Sequence, residues 1–419
     1  MNKLIYSLLA VFLSNLLFGQ TELLQKHLDS EFYQTQFTGF YLYDPQEKKE
    51  VFSYNGNKFF TPASNAKIFT LYAAMKSLPD SIPAFKYAIR GDELHIEGTG
   101  DPTFMHPKFK NPKVLEFLKN KGSKIILHWN NFDEESFLPG WTWDDFRKKY
   151  SPERSQFPIN ENLVTISKSG TNLKTFPTVF KDNIKVKESA EARDFYTNQF
   201  YIGARSSTVK VPFIVQEDVI KNTIIEIVGK PVEMSKAPMP SPTSIFYSAV
   251  ADKVYKEMME ESDNFLAEHL LIVSSSTMNG KLSSVQTIKT ITDKYFTDLK
   301  QKPIWVDGSG LSRYNMFTPQ NLVQVLDKMY KEFPESRLFS IFPVGGKTGT
   351  IKNRYKDGVQ PYVFAKTGTL SNTITLSGYV KSNSGKTYIF SLMNDHVTKN
   401  ASWVRNENEK LIRLVRDNF

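Results

Sequence analysis

A serine three residues ahead of a lysine, Ser64-Asn65-Ala66-Lys67, is where this chain first offers chemistry. A hydroxyl becomes a good nucleophile only when a base takes its proton. Lysine can be that base once burial or a nearby positive charge lowers its pKa. On a helix, positions i and i+3 share a face, so the two side chains would meet. Pro62 suits a helix start, and Ile68, Leu71, Tyr72 and Met75 recur at helical spacing. Ser64 is therefore expected in a first turn, where free backbone N–H groups and the helix dipole favour developing negative charge. The pattern is short and also arises on solvated helix faces, so it needs support. Downstream, Ser262-Asp263-Asn264 supplies a hydroxyl and a side-chain amide. Further on, Lys366-Thr367-Gly368-Thr369 places a cation in an expected strand.

Other chemistries find less. The six histidines, His27, His95, His106, His128, His269 and His396, show no metal spacing, and Glu268-His269 reads as a surface or core pair. The G-x-S-x-G elbow is absent. Gly346-Lys347-Thr348 imitates a phosphate loop, but Ile341 stands where that loop needs glycine. The chain has no cysteine, which excludes disulfides, thiolate metal sites and a lipid-modified cysteine. No cofactor and no metal are expected. Lys-Thr-Gly-Thr occurs twice, at 347–350 and 366–369. Lys347 follows two glycines and precedes a polar loop, whereas Lys366 follows Pro-Tyr-Val-Phe-Ala and opens a run of three strands. A substrate-binding lysine belongs on a rigid element, which favours Lys366.

The elements that must hold these residues fall into blocks. At 419 residues with 40% hydrophobic content, the chain can build more than one packed core. Its net charge of +9 is spread out, without an arginine-rich arm, and nucleic acid is not expected as a partner. Residues 1–20 carry Lys3, an apolar run from Leu4 to Phe18 and small Gly19, the layout of a secretory signal. That predicts export, to the periplasm if the cell is Gram-negative, with no membrane span after cleavage. Residues 23–32 carry helical spacing, and a hairpin around Asp44-Pro45 follows. From Phe85 to Glu233 short strand-like runs alternate with turns, reading as a separate β-rich module. From Ser241 helices are expected through Met278, then over 287–299 and 318–333. Three strands and a final helix over 406–419 end the chain. The expected organisation is a signal over 1–20, a main domain from 21–84 and 234–419, and an inserted module over 85–233. The fold class is α+β, an antiparallel sheet from both chain ends flanked by helices.

S-x-x-K, S-D-N and K-T-G in this order form the set of penicillin-recognising serine enzymes. The chain resembles the low-molecular-weight penicillin-binding proteins of the D-alanyl-D-alanine carboxypeptidase/endopeptidase type, peptidase family S13. The likeness runs through residues 60–70, 98–104, 138–152, 259–271, 307–315, 349–355 and 365–380, and includes the long insertion between the first two motifs. It implies a penicillin-binding, β-lactamase-like domain acting on peptidoglycan stem peptides that end in D-Ala-D-Ala. It implies that β-lactams are covalent inhibitors at Ser64. Ser64 is the implied nucleophile, Lys67 its base, Ser262 a proton relay, Asn264 a substrate and Lys67 partner, and Lys366 with Thr367, Gly368 and Thr369 the substrate-binding strand. The implied oxyanion hole is the backbone N–H of Ser64 and of Thr369. A β-lactamase or esterase on the same scaffold, and a non-catalytic peptidoglycan-binding protein, are the alternatives. Asp307 and Arg313 orient the site or stabilise their loop. Trp141 and Trp143 stack on glycan or pack internally. The helix bearing Lys410, Arg413 and Arg416 packs through Leu411, Ile412, Leu414 and Val415 or attaches to a membrane surface.

Overall fold

The computed structural model describes residues 19–419 except 110, 111, 133, 171, 189–191, 279, 280, 357 and 359. The expected signal therefore lies outside the described residues but for its last two positions. Strands β1 (Phe37–Asp44) and β2 (Lys49–Tyr54) form the expected hairpin. The Asp44 carboxylate closes its turn by accepting the N–H groups of Gln46 and Glu47, each at 2.9 Å. From the far end of the chain, β14 (Val363–Leu370), β15 (Thr373–Lys381) and β16 (Thr387–Asp395) form a meander. Strand β16 pairs antiparallel with β1, giving the order β14-β15-β16-β1-β2.

Side chains alternate across this sheet and so serve two cores. Phe40, Leu42, Phe390 and Leu392 face Leu411, Ile412 and Val415 of the closing helix α11 (Ala401–Asn418), and Leu24 and Leu28 of the helix α1 (19–28). The C-terminal helix thus packs on the sheet, while its basic residues engage acids: Arg413 meets Glu409 at 3.2 Å and Lys410 meets Glu407 at 2.8 Å. A short helix, α2 (Glu31–Gln34), leads from α1 into β1. Tyr41, Tyr379, Ile389 and Met393 point the other way into the helical core.

That core is built on α3 (Ala66–Ser77) and α7 (Asn264–Met278). Every residue from Ala66 to Met75 and from Phe265 to Ser275 is buried. Helices buried on every side belong inside a protein, and here two lie side by side, with the polar Lys67, Glu268 and His269 among their apolar residues. Around them stand α6 (Ala251–Glu260), α8 (Ser284–Tyr295), α9 (Pro319–Glu332) and α10 (Glu335–Ile341). Helix α9 begins where a capping box predicts: Thr318 Oγ1 accepts the Asn321 N–H at 3.0 Å, and Asn321 Oδ1 accepts the Thr318 N–H at 3.1 Å.

The inserted module has a mixed sheet, ordered β12 (Val232–Ser235), β5 (Lys124–His128), β4 (Glu93–Gly98), β3 (Ser81–Arg90), β13 (Ser244–Val250). Two three-stranded sheets adjoin it. One joins β11 (Thr208–Pro212), β6 (Leu163–Ser169) and β7 (Asn172–Phe176). The other joins β8 (Ile184–Lys187), β10 (Phe200–Gly203) and β9 (Ala192–Arg193). Phe85, Ile96, Leu127, Val164, Phe200 and Ile220 share their core. Two features differ from the sequence expectation. The helix expected from Ser241 starts only at Ala251, because Ser244–Val250 pairs with β3. Ile245, Phe246, Tyr247 and Val250 are the β-branched and aromatic types that suit a pleated surface. The module's sheet therefore spans Ser81 to Val250, against the expected 85–233. The module also contains helices α4 (Pro112–Asn120) and α5 (Glu217–Val228). Helix α5 ends at Gly229, whose φ of 75° closes it in the left-handed region. Among the described residues, no helix is long and apolar enough to cross a membrane.

Candidate active site

A tight turn, Ala63–Asn65, carries the chain from Pro62 into α3. Ser64 sits in this turn and Lys67 in the first turn of the buried helix. Ala63 has φ 47°, a strained value for a residue with a side chain. Gly310 presses against it: a Cβ at 310 would lie 1.9 Å from the Ala63 carbonyl oxygen. Lys67 is fully buried, and its Nζ lies 3.0 Å from Ser64 Oγ, 2.6 Å from Asn264 Oδ1 and 2.7 Å from the Ser309 carbonyl. Three acceptors match the three N–H bonds of an ammonium. A neutral amine keeps two of them and has a lone pair for the Ser64 O–H. Burial brings the Lys67 pKa down to about 8, against the carboxylates of Asp307, Asp263 and Glu268, which raise it. Burial is thus what readies this lysine. Lys366 is also held well below the ordinary lysine range, by burial first and by repulsion from Lys67 second.

The second motif turns on Ser262, whose φ is 58°. Its Oγ accepts from Lys366 Nζ at 2.8 Å, and Lys366 also donates to the Thr367 carbonyl at 2.9 Å. Asp263 caps α7 by accepting the Leu266 N–H at 2.9 Å. Asn264 bridges, with Oδ1 to Lys67 and Nδ2 to the Tyr150 carbonyl at 2.9 Å. The structure thus brings two hydrogen-bonded sets, Ser64–Lys67–Asn264 and Ser262–Lys366, together: Ser64, Ser262 and Asn264 line one cleft, and Lys67 is close enough to Lys366 to repel its charge.

The third wall is β14, an edge strand. The Ala365 N–H points off the sheet, to the Pro343 carbonyl at 3.0 Å. By the two-residue period, the N–H groups of Thr367 and Thr369 point off it too. Side-chain alternation sends Lys366 inward and Thr367 outward, where its hydroxyl lies 2.6 Å from that of Thr350. Gly368 runs close under the nucleophile turn, and a Cβ there would lie 2.8 Å from the Pro62 carbonyl. Thr369 lines a cleft of about 570 Å³ with Ser64, Asp144, Asp145 and Arg313. Lys347, from the twin tetrapeptide, is exposed in the turn before Gly349–Ile351. Thr350 of that twin supports Thr367.

Several positioning residues carry no motif. Asp307 is fully buried and gathers its loop: it accepts the Gly310 N–H at 2.8 Å, the Ser312 N–H at 2.6 Å, Asn315 Nδ2 at 2.7 Å and Trp141 Nε1 at 2.8 Å. This loop aims the Ser309 carbonyl at Lys67. Glu268 fixes it from α7 by accepting the Ser309 N–H at 2.7 Å. Burial, then Asp307, pushes the Glu268 pKa up to about 7. Arg405 of α11 donates to Thr369 Oγ1 at 3.0 Å. Asp307, Tyr150 and Glu268 fall in segments that carry the family likeness, although Glu268 reads from sequence only as a surface or core residue, and Arg405 gave no sequence signal.

The histidines stay apart from this cluster. His269 is a core residue: burial pushes its pKa down to about 3, and its Nε2 accepts the Ser155 N–H at 3.3 Å. Among the described residues, His106, Glu161 and Asp263 place ligand-type atoms within 4.8 Å of one another. Each has another engagement: Lys210 holds Glu161 at 2.8 Å, His106 Nδ1 accepts the Lys108 N–H at 3.2 Å, and Asp263 caps α7.

A family model described as D-Ala-D-Ala carboxypeptidase 3 (S13) matches residues 20–239 and 225–416. The chain is 24% identical over 405 residues to the D-alanyl-D-alanine carboxypeptidase DacB of Haemophilus influenzae, with 84% of each chain covered. Its fold is similar to the crystal structure of penicillin binding protein 4 from Haemophilus influenzae, with TM-score 0.72, 20% identity and coverage of 94% and 99%. A structure of that protein complexed with a β-lactam gives 0.66 at 20% identity, with coverage of 92% and 99%. A predatory peptidoglycan endopeptidase of Bdellovibrio bacteriovorus gives 0.52 at 17%, with coverage of 90% and 92%.

Proposed function

The chain belongs to the D-Ala-D-Ala carboxypeptidase (S13) family, and from that membership we propose a serine DD-peptidase that cleaves peptidoglycan stem peptides through an acyl-enzyme on Ser64. The observation that carries the chemistry is the buried Lys67 amine, 3.0 Å from the Ser64 hydroxyl, with its pKa lowered to about 8. Neutral Lys67 takes the Ser64 proton as Oγ attacks the carbonyl carbon between the two D-alanines. The resulting oxyanion is stabilised by the N–H groups of Ser64 and Thr369. Such preorganised donors contribute roughly 3–4 kcal/mol each to the rate. As the C–N bond breaks, the proton that Lys67 took passes through Ser262, which Lys366 holds, to the leaving amine, and Lys67 is neutral again. Water then attacks the ester, with Lys67 again accepting a proton, and the shortened peptide leaves. Lys366 and the outward face of β14 receive the substrate's terminal carboxylate.

A β-lactam carries a carboxylate and an acylating amide, so it acylates Ser64 by the same route. The relative solved with a β-lactam supports this. Terminal D-Ala removal and cleavage of cross-links share the acyl-enzyme, and the protein is proposed for either. The N-terminal apolar run supports export before the enzyme meets its wall substrate, to the periplasm if the cell is Gram-negative. Family membership disfavours the β-lactamase and esterase readings, and the presence of all five side chains disfavours the non-catalytic one.

The test is labelling by fluorescent penicillin, run on the wild type and Ser64→Ala. The wild type should take up one covalent label and the variant none. An unlabelled wild type would sink the mechanism. Product analysis on monomeric and cross-linked muropeptides then separates carboxypeptidase from endopeptidase.

A further inference from the structure

Behind the cleft, across the segment 138–146, lies a second hollow of about 470 Å³ that the mechanism does not use. Its wall is aromatic. Trp143 and Tyr196 are 77% and 84% exposed, and Phe195 ties them together, its ring 6.4 Å from that of Trp143 and 4.7 Å from that of Tyr196. Large rings left in water contribute little to a core. Deeper in the hollow stands Arg193, only 1% exposed, whose Nε and Nη1 are buried without a hydrogen-bond partner. Leaving guanidinium N–H groups buried and unmet is costly, and an acceptor arriving from outside would relieve it. The neighbouring Glu153 does not do so. One of its oxygens accepts the Val215 N–H at 2.9 Å and the Ser136 hydroxyl at 3.3 Å.

An aromatic-walled hollow of this size with a few placed polar groups is the usual anatomy of a small-ligand site. Rings that stack, above donors that need an oxygen, suit a ligand with flat C–H faces and a carbonyl or carboxylate. An N-acetylated amino sugar has both. The hollow also communicates with the catalytic cleft through one strap of chain. Thr142 lines both spaces, and Trp141, on the hollow's wall, donates to Asp307 beneath the Ser64 turn. Asp145 accepts from the hydroxyls of Thr142 and Tyr150, each at 2.6 Å, and the Tyr150 carbonyl holds Asn264.

We propose that this hollow is a saccharide subsite that takes the amino-sugar portion of a glycan-linked stem peptide while its D-Ala-D-Ala end lies at Ser64. This rests on the peptidase reading and narrows its substrate class. Rate constants are compared for two substrates: a pentapeptide ending in D-Ala-D-Ala, and the same peptide on its N-acetylglucosamine–N-acetylmuramic acid disaccharide. The wild type should prefer the glycan-linked substrate by about tenfold in kcat/KM, the scale of one or two ring contacts, with the difference in KM. Trp143→Ala and Tyr196→Ala, both at exposed positions, should erase the preference while penicillin labelling of Ser64 stays at wild-type rate. The free disaccharide should quench tryptophan fluorescence in the wild type and not in Trp143→Ala. Equal kcat/KM on the two substrates, or a preference that survives both substitutions, overturns the subsite. Absence of both penicillin labelling and D-Ala release would instead overturn the peptidase reading, and the disaccharide titration would still decide the subsite.

Discussion

Lys67 and Lys366 are both fully buried within one cluster, and two protons on them would repel in a medium that screens poorly. Their pKa values are both lowered, and the consequences are separate. Lys67 must be neutral to act, and its neutral fraction grows as pH rises through about 8. Penicillin acylation should therefore climb about tenfold per pH unit below that value and level off above it. A stopped-flow acylation profile flat from pH 6 to 10 would contradict the base assignment. Lys67→Ala should lower acylation by about 10²–10⁴-fold, the range of a lost general base, whereas Lys347→Ala, on an exposed turn, should leave it unchanged. Lys366, whose pKa is held down by burial and then by Lys67, is pushed back up when a carboxylate arrives. Binding of a D-Ala-D-Ala peptide to Ser64→Ala should therefore take up protons in the pH range between the free and bound pKa values of this lysine. Calorimetry in buffers of different ionisation enthalpy measures this, and zero uptake would refute the pairing of Lys366 with the substrate carboxylate.

At the scale of elements, the site depends on close approach. The 307–315 loop meets the nucleophile turn at Gly310, which combines φ 84° with contact too tight for any side chain. Gly310→Ala should push the loop from the Ser64 turn and move the Ser309 carbonyl away from Lys67. Displacements near 1 Å cost about a hundredfold in such geometry, so acylation should fall at least that far with circular dichroism unchanged. A variant that acylates normally would show that the loop does not set the site. This dependence was only half legible in the sequence. Ser64, Lys67, Ser262, Asn264 and Lys366 stood out because their spacing within each motif is local. The hub role of Asp307 did not, because Trp141, which donates to it, and Glu268, which holds the neighbouring Ser309 N–H, come from distant segments that only the folded chain joins. The strand Ser244–Val250 was misread as helix for a similar reason. Its apolar residues fit either period, and its partner β3 lies some 160 residues upstream, beyond any local signal.

At the scale of the whole molecule, the antiparallel sheet from both chain ends and the hairpin at Asp44-Pro45 were legible, because three strands separated by short turns leave few topologies. The two-sided use of that sheet was not, since alternation predicts that faces differ but not what covers each. Helix α11 covers one face through Leu411, Ile412 and Val415, all fully buried. Leu411→Ala should destabilise the fold by about 2–5 kcal/mol in denaturant melts while leaving penicillin labelling intact at low temperature. Loss of labelling without loss of stability would place α11 in the site rather than behind it. The same sheet sets an order of events during biosynthesis. Gln36 and Asn394, joined by a 2.9 Å hydrogen bond, are 358 positions apart. Strand β1 leaves the ribosome early and has no partner on its β16 side until nearly the whole chain has followed. Ser64 likewise waits for Lys366. A half-made chain is thus an enzyme without its third wall, unable to acylate until its two ends close on each other.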